Sequence, residues 1–464
     1  MRMNEDKIPK KVIAAIVATG IMSFCGVIVE TSMNIAFPTL MRQFNISTNT
    51  VQWMTSMYLL VISIVVPLSA ALKSNFKIKK LFLVANILFL VGLIIDAVAP
   101  AFGFLLVGRA IQGIGTGIAL PLMFNIILEQ VPQKKIGTMM GVGNMITGIA
   151  PALGPTFGGI VIASLGWRWV FYFLIPLILI SLFLGIWGIE QKSAIKKVKI
   201  DLLSVLFIAV FFIGMIYGFS NLSSGSLLSF KVGGSIILAL IALVLLIWRS
   251  NHLTTPILNL KLFKSARFSA HILGFFMIQL ISLGNAFLLP NYIQLVNGNS
   301  ALAAGLIVLP AGAAGAIMGP IGGRLLDQHG ARKPILSGVF LILIELLLFS
   351  ILSLHLNNTM ILFIYIIYMA GMGMIMGDVM TDTLAGLDPE KTTQGNAILN
   401  TVQQFAGAVG TSITSAIVAL SQSQLHSKVG YPTAIGTQHA FIFLFVLAII
   451  ILVLFFKYIG NKKD

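Results

Sequence analysis

Charged residues are scarce in this chain. Asp and Glu number 14 among 464 residues, Lys and Arg number 30, and the two signs together make up 9% of the sequence. A soluble domain carries about 25%, so a charged, water-facing surface is excluded for most of the chain. There is one cysteine, Cys25, which rules out an intrachain disulfide and leaves the redox compartment unread. No GxxxxGK[ST] phosphate loop occurs, so the chain is not an ATP-driven pump by itself. The six histidines are scattered, with no HExxH or other metal spacing, and no nucleophile–base pair stands out. No enzyme activity, metal or cofactor is expected. What is abundant is apolar: 58% of the residues are hydrophobic and the mean hydropathy is +0.99. One water-soluble core cannot absorb that much apolar surface, so the solvent is lipid.

A helix needs about 20 apolar residues to cross a bilayer. Fourteen such spans are expected, near 12–37, 52–72, 80–98, 103–127, 137–163, 168–189, 202–220, 233–248, 269–293, 301–323, 334–354, 359–384, 396–420 and 437–458. The opening MRMNEDKIPKK is polar and no small-residue cleavage site follows, which predicts an uncleaved first helix. With both termini cytoplasmic, 25 Lys and Arg fall in inside segments and four, Arg42, Arg168, Lys231 and Lys428, fall outside. The positive-inside rule produces such a split, and one helix more or fewer would destroy it. The net charge of +16 is therefore a topology signal and an attraction to anionic membrane lipids, and no nucleic-acid partner is expected.

Several stretches need a further reason. VIVETSMNIAFP places a carboxylate, Glu30, inside the first span, with Asn34 one helical turn on. LLVGRAIQGIGTGIALP, 105–121, puts Arg109 in the hydrocarbon layer, followed by Gln112 and glycines at 113, 115 and 117. A guanidinium cannot lose its proton, so it must face a protein-lined cavity or an acid. GVGNMITGIAPALGPTFGGI, 141–160, sets Pro151 and Pro155 mid-span beside Gly154, Gly158 and Gly159. That pattern predicts a bent, closely packed helix that seals or opens a cavity. GGRLLDQHGARK, 322–333, holds Asp327 among Arg324, Arg332 and Lys333 at the cytoplasmic face. An ion pair there would latch one conformation; an ordinary solvated loop is the bland alternative.

These stretches together resemble the major facilitator superfamily, in particular its fourteen-helix drug:proton antiporter branch. VETSMNIAFP is similar to that branch's first-helix motif DxTxxNxALP, GRAIQGIGTG to its fourth-helix arginine motif, and APALGPTFGG to its fifth-helix antiporter motif. WRWVFYFLIP resembles the start of its sixth helix, and GGRLLDQHGARK the loop motif GxxxDxxGxR/K. The chain departs from the pattern in four places. Glu30 replaces an aspartate, Ser74 and Lys77 stand where the N-terminal loop motif has aspartate and glycine, Leu174 replaces an asparagine, and Gln403 an arginine. The resemblance implies an all-α polytopic membrane protein of two six-helix bundles, residues 1–189 and 269–464. Two extra helices and basic loops, 190–268, lie between them. It implies a monomeric, proton-driven exporter of lipophilic, often cationic drugs, working by alternating access in a bacterial cytoplasmic membrane. An exporter of an endogenous metabolite or lipid, or a non-transporting membrane sensor, are the competing readings.

The intramembrane acids are Glu30, Asp96, Glu345, Asp378 and Asp382. An acid met alternately from two aqueous sides is a proton carrier. Asp96, four residues before Pro100, is expected at the outer interface and solvated, and Glu345 has no assigned role. Glu30, Asp378 and Asp382, with Arg109, are the expected proton-coupling residues. Glu30, Asn34, Trp53, Met54, Tyr58, Gln112, Asn144, Met145, Gln279, Asn285, Gln403 and Gln404 are the expected substrate lining. Gly154, Pro155, Gly158, Gly159, Asp327 and Arg332 are the expected gate.

Overall fold

The computed structural model describes residues 8–459, except 47, 193, 196, 222–228, 254–255 and 425–429. The side chains of Asn34, Asn144 and Pro155 also lie outside the described residues, and with them the roles expected of those three. The chain runs α1 (Lys10–Phe44), α2 (Thr48–Val65), α3 (Ser69–Asn75), α4 (Ile78–Ala97), α5 (Phe102–Gln130), α6 (Ile136–Ser164), α7 (Arg168–Gly188) and α8 (Leu202–Ser220). It continues through α9 (Ser235–His252), α10 (Ala266–Leu295), α11 (Ala301–His329), α12 (Arg332–Leu352), α13 (Asn358–Ala385), α14 (Pro389–Gln424) and α15 (Gly430–Tyr458). There is no strand among the described residues. In lipid, backbone donors and acceptors must be satisfied within the segment, which helices do.

Pro67 sits in a tight 3-10 turn, Val66–Leu68, between α2 and α3, and the two make one span, Trp53–Asn75. Counted so, thirteen spans among the described residues are long and apolar enough to cross a membrane. The 29-residue α6 is as long as these spans. The helices outrun the apolar stretches because their polar ends continue into the interface: α14 starts at Pro389, not near 396. Side-chain caps begin several of them. Asp201, Ser265, Ser300 and Asn357 each accept the backbone N–H three residues on. Gly330, at φ +83°, ends α11 in a conformation that a β-carbon disfavours, and so turns the chain into α12.

The packing repeats. α1 lies against α5, α6 and α7 as α10 lies against α13, α14 and α15; α4 meets α5 and α7 as α12 meets α13 and α15; α2 meets α5 as α11 meets α13. Two six-helix bundles of one plan result, α1–α7 and α10–α15. The α8–α9 hairpin sits between them in sequence and touches both, α8 packing on α2 and α14. Arg249 of α9 clamps Asp201 at the start of α8 with contacts of 2.6 and 2.7 Å. Large apolar side chains such as Phe183, Leu206, Val244 and Phe363 point outward, as lipid contact requires.

Two seams join the bundles. In one, α6 runs along α11 and α13 with backbones nearly touching: a methyl on Gly319 would lie 2.9 Å from the Gly141 carbonyl oxygen, and one on Gly377 3.0 Å from the Gly141 nitrogen. In the other, α14 meets α2, α3 and α5.

Candidate functional site

Glu30 lies on α1, partly exposed, between residues that press α1 onto its neighbours. One turn before it, Gly26 brings α1 against Tyr58 of α2 and Thr116 of α5: a β-carbon there would lie 2.7 Å from the Tyr58 hydroxyl. Just after it, Thr31 and Ser32 pack on α6. A β-carbon on Gly154 would overlap the Thr31 hydroxyl, one on Gly158 would lie 2.8 Å from the Ser32 carbonyl oxygen, and the Ser32 hydroxyl donates to the Gly154 carbonyl at 2.9 Å. The helix expected to gate the cavity is thus in direct contact with the turn that carries Glu30. Gly159 is looser and faces the other bundle: a β-carbon on it would lie 3.3 Å from the Leu302 side chain of α11.

Arg109 on α5 is fully buried. Its guanidinium lies over the Tyr58 ring, 3.9 Å from the ring centre. Nε donates to the Met54 carbonyl at 3.2 Å, and Nη1 to Gln112 Oε1 at 2.7 Å. Gln112 in turn donates to Asp96 Oδ2 at 2.8 Å. Tyr58, Asp96 and Glu30 are the titratable groups that act on Arg109 electrostatically. The expectation for Asp96 is corrected here. It is not solvated at the outer interface but fully buried between α4 and α5. Two features not evident along the chain put it there. Gly108 has no side chain where the carboxylate sits, and Gln112 arrives from the next helix to bond it.

In the second bundle, Asp378 is buried and neither of its carboxylate oxygens has a hydrogen-bond partner. Its neighbour Gly377 packs on Gly141, so the acid stands at the junction of α13 with α6. Asp382, one turn on, is occupied: it accepts from Arg267 Nη2 at 3.0 Å and meets His271 Nε2 at 2.7 Å. His271 Nδ1 faces the Arg267 carbonyl at 2.8 Å. A carbonyl only accepts, so Nδ1 carries a hydrogen, and one further proton must lie between Nε2 and the carboxylate. His271, which looked like one of six scattered histidines, is a partner of an expected proton-coupling acid. Glu345 acquires a partner as well, since Asn285 donates to its Oε1 at 3.1 Å, both groups fully buried.

The remaining expected lining divides. Met54 and Tyr58 are buried beside Arg109, Trp53 is exposed, and Met145, Gln403 and Gln404 are partly exposed. Gln279 is buried and donates to Met376 Sδ at 3.6 Å. Asp327 and Arg332 are not paired with each other. Arg332 lies over the Phe456 ring at 4.9 Å. Asp327 reaches from α11 to the start of α6, accepting from the backbone N–H groups of Gly137 and Thr138 at 3.1 and 3.0 Å and from the Thr138 hydroxyl at 2.7 Å. A helix N-terminus attracts a carboxylate, which is why the acid turns away from the nearby cations. The other seam closes at the same face. Lys73 pairs with Glu129 and donates to the Thr393 hydroxyl at 3.0 Å; Asn396 donates to the Pro121 carbonyl at 3.2 Å and to Asn125 Oδ1 at 2.9 Å. Both seams are thus bonded at the face that carries the basic loops.

Two six-helix bundles of one plan with an apolar hairpin between them, and a buried arginine and acids in the interior, define a polytopic membrane transport protein. The chain belongs to the Major Facilitator Superfamily, whose model matches residues 19–411. It is 37% identical over 451 residues to the lincomycin resistance protein LmrB of Bacillus subtilis (strain 168), covering 95% of this chain and 94% of that one. It is 24% identical over 408 residues to the multidrug resistance protein Stp of Mycobacterium tuberculosis (strain CDC 1551 / Oshkosh), covering 87% and 75%. Its fold matches the crystal structure of the human organic anion transporter MFSD10 (TETRAN) with a TM-score of 0.64 at 13% identity, over 95% of this chain and all of that one.

Proposed function

We propose that this protein is a proton-coupled antiporter that exports lipophilic, often cationic compounds by alternating access from a bacterial cytoplasm. In this reading both termini lie inside and the basic face is cytoplasmic. The observation that carries it is the carboxylate of Glu30, partly exposed on α1 and within electrostatic reach of the buried Arg109. A carboxylate there holds a proton or a cationic group, not both firmly, so entry of one releases the other. Each charge moved down a 100 mV potential supplies about 2.3 kcal/mol, enough for one or two protons to drive accumulation. The bonds across both seams at the basic face, with α6 packed on the Glu30 turn, support a rocking motion in which the two bundles part at one face of the membrane and then at the other. Relatives named for lincomycin and multidrug resistance favour drugs over an endogenous cargo. Asp378, buried and unpartnered, is the second proton site in this scheme.

The test is a panel of cationic and neutral compounds offered to everted vesicles, with internal pH recorded for each. Wild-type protein is expected to move protons against cation uptake. Glu30→Gln is expected to lose the pH dependence of cation transport while neutral compounds still move. Cation export by Glu30→Gln at the wild-type rate with full pH dependence would place the coupling site at Asp378.

A further inference from the structure

The reach of Asp96 toward Arg109 is part of no motif that carries the antiport reading. α4 and α5 approach so closely that a β-carbon on Gly108 would overlap Asp96 Oδ1, and one on Gly92 would lie 2.7 Å from the Gly108 carbonyl oxygen. Asp96 is held in that slot with no exposure to solvent. From it runs a chain with every donor pointing the same way: Arg109 Nη1 donates to Gln112, and Gln112 donates to Asp96 Oδ2. An amide placed so carries the pull of an anion to a cation that the anion does not itself touch.

The guanidinium is not used up by this. Nε is taken by Met54 and Nη1 by Gln112, but Nη2 is buried without a partner. Asp96 Oδ1 is likewise without one. One buried cation therefore stands between two acids of different access: Asp96, sealed off, and Glu30, partly exposed. A single positive charge fully balances one carboxylate and leaves the other to find a proton or a ligand cation. Access decides which acid that is.

We propose that Asp96 is a positioning residue for ion exchange at Glu30: through Gln112 it engages one side of Arg109 permanently, so that Glu30 meets a half-satisfied guanidinium and exchanges its proton for a cationic substrate. The inference rests on the antiport reading above. The other groups facing the network leave room for it. On α1 the neighbour is Cys25, whose thiol is buried, and on α2 it is Tyr58, whose hydroxyl is bonded to Thr116 at 2.9 Å. α6 carries no titratable side chain. At the start of α7, Tyr172 is exposed and Arg168 is occupied by the Ala99 carbonyl at 2.8 Å and the Trp167 ring at 4.3 Å.

The test compares four proteins in everted vesicles over a range of external pH: wild type, Asp96→Asn, Gln112→Met and the double variant Asp96→Asn with Gln112→Glu. Without the Asp96 anion, Arg109 turns its whole charge on Glu30. The half-maximal pH of cation transport is expected to move to the acid side by about one unit. The KM for a cation is expected to rise more than that for a neutral compound. Gln112→Met cuts the relay and is expected to shift the profile in the same direction. The double variant returns an anion to the network one step closer to Arg109, and its profile is expected to move back toward wild type. A purely packing role for Asp96 predicts no such rescue. A flat wild-type profile would overturn the antiport reading itself. A pH-dependent wild type with both single variants unshifted would overturn this inference alone. If Asp96→Asn does not reach the membrane, the Gln112→Met profile decides.

Discussion

Asp327 caps a helix of the other bundle: its two carboxylate oxygens accept the N–H groups of Gly137 and Thr138, 190 and 189 residues away in sequence. The bond crosses the tighter seam, where Gly323 of α11 lies against the backbone of Gly137 and Thr138. A charge-assisted cap of this kind contributes about 1–2 kcal/mol. Asp327→Asn keeps the shape but removes the charge. It is expected to raise the population opened at the basic face roughly 5- to 30-fold. A cysteine placed at the buried Asn125 of the second seam, in a Cys25→Ala background, reports this by its rate of labelling from that face. An unchanged rate would mean that the glycine contacts alone hold the closure.

The α1–α6 contact makes a sharper forecast than bulk alone. Gly154→Val drives a branched side chain into the Thr31 hydroxyl, with no room to yield because Ser32 is bonded to the same turn. The cost is about 1–3 kcal/mol, and export is expected to fall at least tenfold. Gly159→Ala meets only Leu302 at 3.3 Å, a flexible side chain, and is expected to stay within a factor of two. Transport rates normalised to membrane protein separate the two.

The Asp382 cluster predicts an asymmetry between its partners. Arg267 is half-exposed, so Arg267→Ala is expected to cost under about 1 kcal/mol. His271 is fully buried, so Asp382→Asn disturbs a desolvated pair and is expected to cost about 1–3 kcal/mol. Thermal unfolding in detergent compares them, and equal losses would show that the histidine contact carries little.

The α8–α9 hairpin carries a pH dependence that sits outside the membrane spans. Bidentate bonding by Arg249 holds the Asp201 carboxyl well below the usual carboxylate range. A carboxyl whose value is lowered on folding stabilises the fold at pH above its unfolded value, about 3.9. That contribution is lost as pH falls through the lowered folded value. Asp201→Asn is therefore expected to loosen the hairpin at neutral pH by up to about 1 kcal/mol. The difference from wild type is expected to shrink below about pH 4. Protease nicking of the 189–201 segment at pH 7 and in mild acid reads this out, and a difference that grew in acid would reverse the sign of the argument.

The amino-acid sequence by itself determined the solvent of this protein, its make-up of membrane-length helices and the stretches where packing is tight. Those properties depend on local composition: twenty apolar residues suffice to cross a bilayer, and small residues at intervals mark a close face whatever lies opposite. Arg109 and Glu30 were legible for the same reason, because a charge in an apolar run needs an explanation before any partner is known. The tertiary structure decided who the partners are. Asp96 read as an interfacial acid because Pro100 follows it, yet the missing side chain of Gly108 and the arrival of Gln112 bury it. Asp382 read as an acid without a visible partner, and the fold brings His271 and Arg267, over a hundred residues earlier, against it. Asp327 sits among cations along the chain and turns from them to a helix end of the other bundle. Helical periodicity says which residues share a face, but not which face meets which. That choice is made by packing among fourteen helices at once, where a hydrogen bond or a backbone contact forms only if the whole arrangement brings its two halves within about 3 Å.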